Sequence, residues 1–168
     1  ILEETGEEKL FDILTNIEVY FHGGVSFDPY REQYKKILPR NNFKYYEIYN
    51  ASEGFFAIQD LNDSNDLLLM LDYGIFYEFI PMDVFGTENQ TAIRLADVSL
   101  DKNYAVVITT NGGLWRYLVG DTIRFTSLNP YRIRVTGRTK HYINVFGEEL
   151  MVENTDRAIA KTCQMTQS

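Results

Sequence analysis

The sequence is poor in several residues that would settle a function at once. Its single cysteine, Cys163, excludes an internal disulfide. His22 has no second His or Cys at metal-ligand spacing, so a zinc site built around it is not indicated. No run of 18 apolar residues and no signal-like apolar segment occurs, which argues against a membrane helix or a secreted chain. Without secretion, the glycosylation-like triplets Asn50-Ala51-Ser52, Asn62-Asp63-Ser64 and Asn89-Gln90-Thr91 are chance matches. A reduced, cytoplasmic setting with no membrane partner is expected. Long Lys/Arg runs are also missing and the formal net charge is −8, which argues against a nucleic-acid partner, whose affinity rests on neutralising many phosphates. A single nucleotide is not excluded, because Mg²⁺, backbone amides and one or two basic side chains can meet its charge locally.

What the chain has is an aromatic, strand-rich pattern. Its 168 residues are 45% hydrophobic and include 12 Tyr and 11 Phe, enough for one core, or one domain and a piece of another. The pattern centres on Tyr49-Asn50-Ala51-Ser52-Glu53-Gly54, a polar turn between the strand candidates Phe43–Ile48 and Phe55–Ile58. An aromatic face, a hydroxyl and an acid at a strand mouth could stack a base, touch a phosphate and ligate Mg²⁺, although an ordinary polar turn has the same composition.

Upstream, a short amphipathic helix is expected around Leu10, Phe11, Ile13 and Leu14, then a strand over Ile17–Phe21 followed by Gly23-Gly24. Paired glycines let a backbone approach a flat ligand, or simply form a loop. Asp28-Pro29 reads as a helix start, with Tyr30, Tyr34, Ile37 and Leu38 on the buried face and Pro39 as the stop. Strand, glycine turn, helix, strand and acidic turn make a βαβ unit whose two turns share one edge of a parallel sheet.

From Leu67 onward seven short strands are expected: Leu67–Leu71, Ile75–Ile80, Ala92–Leu95, Tyr104–Thr110, Leu114–Val119, Ile123–Thr126 and Tyr131–Val135. With no helix between them they suggest an antiparallel barrel or a strongly curved sheet. Arg132, Arg134 and Glu78 fall on polar sides of these strands and read as a solvated face. Gly120-Asp121 is either a turn or a carboxylate held where a ribose could be gripped. After Gly137 the pattern changes to Tyr142–Phe146, a Gly147 turn and a helix from about Leu150 bearing Val152, Thr155, Ile159 and Thr162. The fold class is therefore α/β: a βαβ edge of a parallel sheet, a β-barrel-like antiparallel subdomain and the start of a small α+β domain. The expected divisions are 1–60, 61–137 and 138–168.

Taken in order, Tyr49 to Gly54, then Gly113-Leu114-Trp115-Arg116-Tyr117-Leu118-Val119-Gly120-Asp121, then Gly137-Arg138-Thr139-Lys140 and Phe146-Gly147-Glu148-Glu149, resemble one family. It is the Gretchen Hagen family of auxin-responsive acyl-acid amido synthetases, in its bacterial branch, within the adenylate-forming superfamily. The resemblance implies an ATP- and Mg²⁺-dependent ligase that activates a carboxylic acid as an acyl-adenylate and passes it to an amine such as an amino acid. It implies that Tyr49 stacks on adenine, Ser52 meets the α-phosphate within the turn Asn50-Ala51-Ser52, and Glu53 holds Mg²⁺. Gly23 and Gly24 then line the adenine pocket, Asp121 binds ribose, Arg138 reaches ribose or phosphate, and Lys140 marks a domain hinge. The family's Ser/Thr/Gly-rich phosphate loop and C-terminal adenylation lysine have no counterpart here, and Lys161 is not that lysine. The chain is thus expected to be an inner segment, beginning at Ile1, of a longer enzyme and inactive by itself. The alternative is a non-catalytic module whose apolar interior holds a small ligand.

Overall fold

The computed structural model describes residues 2–6, 10–24, 27, 29–38, 43–62, 64–141, 143–145, 148–150, 158, 161–162 and 165. Two single-turn helices, α1 (Leu2–Thr5) and α2 (Leu10–Ile13), precede β1 (Val19–His22), α3 (Arg31–Ile37), β2 (Lys44–Ala51) and β3 (Gly54–Ile58). Then come β4 (Leu67–Leu69), β5 (Ile75–Pro81), β6 (Ile93–Arg94), β7 (Asn103–Thr110), β8 (Tyr117–Leu128) and β9 (Tyr131–Arg138). A 3-10 turn over Thr139–His141 leads to the hairpin β10 (Ile143–Val145) and β11 (Glu148–Leu150).

β1 and β2 are parallel with α3 between them, which is the expected βαβ unit. Its small core is aromatic: Tyr20, Phe27, Tyr34 and Tyr45 pack with ring centroids 5.0–6.3 Å apart. α3 begins later than Asp28-Pro29 suggests. Its N-cap is Tyr30, without a side-chain cap bond, and Tyr30 and Ile37 are exposed while Leu38 is buried. Seven residues make two turns, too short for one stripe to bury all four expected positions.

β1 to β9 form one open mixed sheet in the order β1-β2-β3-β4-β9-β8-β7-β5-β6. Distances across it show that it is wound. β3 and β5 lie five steps apart in that order, roughly 24 Å in a flat sheet at about 4.8 Å per strand. Yet the rings of Phe56 and Tyr77 are 6.4 Å apart, and the Tyr77 hydroxyl donates to the Met70 carbonyl at 3.2 Å. The sheet therefore curls until these strands meet through side chains, with no backbone ladder between them among the described residues. The enclosed core holds Phe56, Leu67, Tyr77, Phe79, Tyr104, Ile108, Ile123, Phe125 and Ile133, with Phe79, Tyr104 and Phe125 meeting edge to face. Its alternation of buried and outward residues is what a half-buried strand requires.

Two of the expected strands are one. The second half of Leu114–Val119, from Tyr117, and Ile123–Thr126 fuse into the 12-residue β8, because Gly120 takes φ +92° inside a bulge and the strand passes through instead of ending, while Leu114–Arg116 belong to the β7–β8 turn. The Asn111–Gly113 and Asn129-Pro130 turns lie where expected; the latter joins β8 to β9 with Leu128 opposite Tyr131 and a cis peptide. The polar strand positions are not merely solvated. Arg132 pairs with both oxygens of Asp60, Arg134 Nε lies 2.6 Å from Asp66 Oδ1, and Arg116 forms a fork on Glu78 at 2.9 and 3.0 Å. These pairs tie the connecting segment 59–66 to β9 and the β7–β8 turn to β5. Leu150 belongs to β11, not to a helix; Val152, Thr155 and Ile159 lie outside the described residues.

Candidate functional site

The expected acids stand on opposite sides of the curl and are brought to one end of it. β2 carries Tyr49, and the turn after it carries Glu53. The β8 bulge carries Asp121, placed opposite Arg138 at the end of β9. In a flat sheet β2 and β8 are four strands apart, about 19 Å. Here the Tyr49 hydroxyl donates to Asp121 Oδ2 at 2.9 Å, while Arg138 Nε lies 3.3 Å from Asp121 Oδ1. Thr139 Oγ1 donates to the Gly120 carbonyl at 3.2 Å, fastening the turn that holds Lys140 to the same bulge.

A second bond mirrors the first. Tyr117, four residues before Asp121, donates its hydroxyl to Glu53 Oε1 at 3.1 Å, and Glu53 is itself four residues after Tyr49. Each segment reads Tyr-x-x-x-acid, and each tyrosine holds the acid of the other segment. Tyr117 is absent from the residues that the sequence pattern singles out as a site, yet the repeated spacing is a readable signal for it.

The two tyrosines differ in setting. Tyr49 is 7% exposed, its ring packs on Phe56 at 4.9 Å, and burial first, then Asp121, pushes its pKa far above the ordinary value. Its contacts are with the core and Asp121, and it presents little open face. Tyr117 is exposed, and its pKa is raised chiefly by the bond to Glu53. Asp121 has 13% of its side chain exposed against 71% for Arg138, so the pair has a sheltered acid and an outward guanidinium.

The remaining expected residues distribute as follows. Gly23 lies beside β2: a Cβ there would fall 2.5 Å from the Ile48 carbonyl and 3.5 Å from Asn50 Oδ1, so the close approach it permits is to the chain itself. Gly24, at φ +85°, has open space around it. Asn50 and Ser52 are exposed, Ala51 packs against the core, and Lys140 is exposed on the turn after β9.

Among the described residues no three His, Cys, Asp or Glu side chains gather as a metal cluster. Glu53 alone fits a cation that keeps waters and takes its other ligands from a nucleotide's phosphates, as Mg²⁺ does. Asp121 has accepting capacity beyond Tyr49 and Arg138, since a carboxylate offers about four lone-pair positions. A separate open groove of about 460 Å³, lined by Leu68–Asp72 and Leu128–Tyr131, lies at the Tyr131 end of β9, seven residues from Arg138 and so roughly 23 Å along the strand. That groove is not where the acids meet.

The wound mixed sheet is a fold shared with solved acyl acid amido synthetases. GH3.15 acyl acid amido synthetase superposes with a TM-score of 0.62 at 22% identity, covering 84% of this chain and 25% of that one. A second structure, of AtGH3.15 acyl acid amido synthetase in complex with 2,4-DB, gives 0.53 at 20% identity over 69% of this chain and 20% of that one.

Residues 68–138 match the GH3 family central domain, and the chain is homologous to plant GH3 acyl acid amido synthetases. It is 35% identical over 129 residues to indole-3-acetic acid-amido synthetase GH3.4 of Arabidopsis thaliana, covering 72% of this chain and 21% of that protein. With the probable indole-3-acetic acid-amido synthetase GH3.1 of the same plant it shares 44% over 86 residues, 49% of this chain and 14% of that one. The chain spans about a fifth of the length of such relatives or less.

Proposed function

We propose that this chain supplies the ribose- and metal-facing part of an ATP-dependent ligase that joins a carboxylic acid to an amine, the amine being an amino acid. The observation that carries the reading is the pair of crossed bonds, Tyr49 to Asp121 and Tyr117 to Glu53, which brings two distant acids to one end of the sheet. In this reading Asp121 accepts hydrogen bonds from the ribose diol and Arg138 offers its outward guanidinium to ribose or phosphate. Glu53 would hold Mg²⁺, which when bound would supply charge neutralisation at the phosphate oxygens while the substrate carboxylate attacks and pyrophosphate leaves. In this reading Ser52, beside Glu53 in the turn, donates to the same phosphate, which its exposure supports, and Gly24 leaves room beside β2. Lys140 is the hinge residue. Its turn is anchored to the bulge that carries Asp121, so a rotation there is felt at the ribose acid. Assignment to the bacterial branch rests on motif likeness alone, and a cytoplasmic setting belongs to the same reading.

Calorimetry with Mg-ATP on the full-length protein that carries this chain tests it. Asp121→Ala is expected to abolish measurable binding and Glu53→Ala to reduce it to the metal-free level; wild-type binding in both variants refutes the reading. A second reading has one observation in its favour, the apolar groove between β4 and the β8–β9 turn, which suits a small ligand without chemistry. It predicts that a small apolar ligand binds in that groove and is weakened by Tyr131→Ala, while the Glu53 and Asp121 variants bind it normally.

A further inference from the structure

Resting on that reading of Glu53, we infer that Tyr117 is a positioning residue for the metal-facing carboxylate. Glu53 stands at a tight turn between β2 and β3, pairs with no Arg or Lys among the described residues, and accepts from the Tyr117 hydroxyl at 3.1 Å. A glutamate fixed on a cation loses rotamer freedom along a flexible side chain, whereas a phenol has two torsions and loses little. Tyr117 is moreover seated on a strand, registered opposite Ile108 of β7, so its hydroxyl height is set by the sheet. The bond uses Oε1 and leaves the lone pairs of Oε2 for the ion. Partners of this kind orient a ligand before the metal arrives. Tyr49 has no such role at Glu53, being buried on Asp121. The two crossed bonds thus divide into a sheltered structural one and an exposed one at the mouth.

The test is Mg²⁺ titration of ATP binding in the full-length protein, followed by calorimetry with and without the metal. Tyr117→Phe is expected to weaken the apparent Mg²⁺ affinity about tenfold while leaving metal-free ATP binding as in wild type. Glu53→Gln is expected to remove the metal-dependent gain, and the double variant to be no weaker than Glu53→Gln alone. If Glu53→Gln responds but Tyr117→Phe titrates like wild type, the positioning role is refuted and the wider reading stands. Equal loss with and without metal in Tyr117→Phe, or additive losses in the double variant, refutes it too. Indifference of Glu53→Gln removes both.

Discussion

Replacing Tyr49 with phenylalanine deletes one oxygen atom from the buried side of the site and keeps the ring against Phe56. The lost bond ends on a carboxylate, a class worth about 1.5–3 kcal/mol. Asp121 keeps Arg138 and is partly open to water, which places the expected loss near the lower end, about 1.5 kcal/mol at neutral pH. A second signature is specific to the hydroxyl. Burial raises the pKa of both Tyr49 and Tyr77, whereas unfolded tyrosines ionise near pH 10. The sign follows: the folded state resists losing these protons, so their stabilisation is complete below about pH 10 and declines as the pH climbs above it. Each such group adds about 1.4 kcal/mol per pH unit to that decline. Tyr49→Phe should flatten the alkaline slope by one such increment and leave the Tyr77 increment in place. Urea unfolding followed by far-UV circular dichroism is the assay, because the sole tryptophan, Trp115, is 82% exposed and a poor reporter. An unchanged slope above pH 10 would mean that water reaches the Tyr49 hydroxyl, and the account of a sheltered pair would fail.

Phe125→Ala should cost about 3–5 kcal/mol, since the ring is fully buried and touches Phe79, Tyr104 and Tyr131; the urea midpoint reads it, and a cost below about 1 kcal/mol contradicts the placement of the core. Arg132 holds the Asp60 carboxyl below its ordinary pKa, so that stabilisation is present above about pH 4 and fades as the pH falls through the lowered value. Asp60→Asn should therefore lose about 1 kcal/mol at pH 7 and flatten the acid limb of a stability profile. Gly23→Ala should destabilise by about 1–3 kcal/mol, because its Cβ meets the Ile48 carbonyl, while Gly112→Ala, at 3.6 Å from Thr110 Oγ1, should be close to neutral by thermal melting.

Local pattern carried much of the architecture because strand alternation and turn residues are short-range signals. The βαβ edge was legible from Val19–His22, Tyr34 and Lys44–Ala51, β5 and β9 from their apolar alternation, and β7 from the continuous apolar run Tyr104–Ile108. Gly120-Asp121 misled because glycine punctuates turns and bulges alike; only the partner strands decide which, and the residues of β7 and β9 that flank the bulge, Ala105, Val107, Gly137 and Arg138, lie 13 or more residues from Gly120. Arg132 and Arg134 looked solvated because their partners, Asp60 and Asp66, sit in a polar connection some 70 residues earlier. The convergence of Tyr49 on Asp121 depended on how far the sheet winds. Nothing in either segment encodes that angle, which follows from twist accumulated over strands whose packing is set by the whole core.

The meeting of β3 and β5 has a mechanical corollary. Zipped by rings and methyl groups instead of amide pairs, it is the line along which the sheet can unroll with fewest hydrogen bonds to break. Glu53 lies on one bank of that line and Tyr117 and Asp121 on strands of the other, so a molecule gripping both acids would act as a rivet across it. Slower amide exchange at Phe55 and Phe76 on adding Mg-ATP to the full-length protein is the expected outcome, and unchanged exchange would show that the two banks do not part.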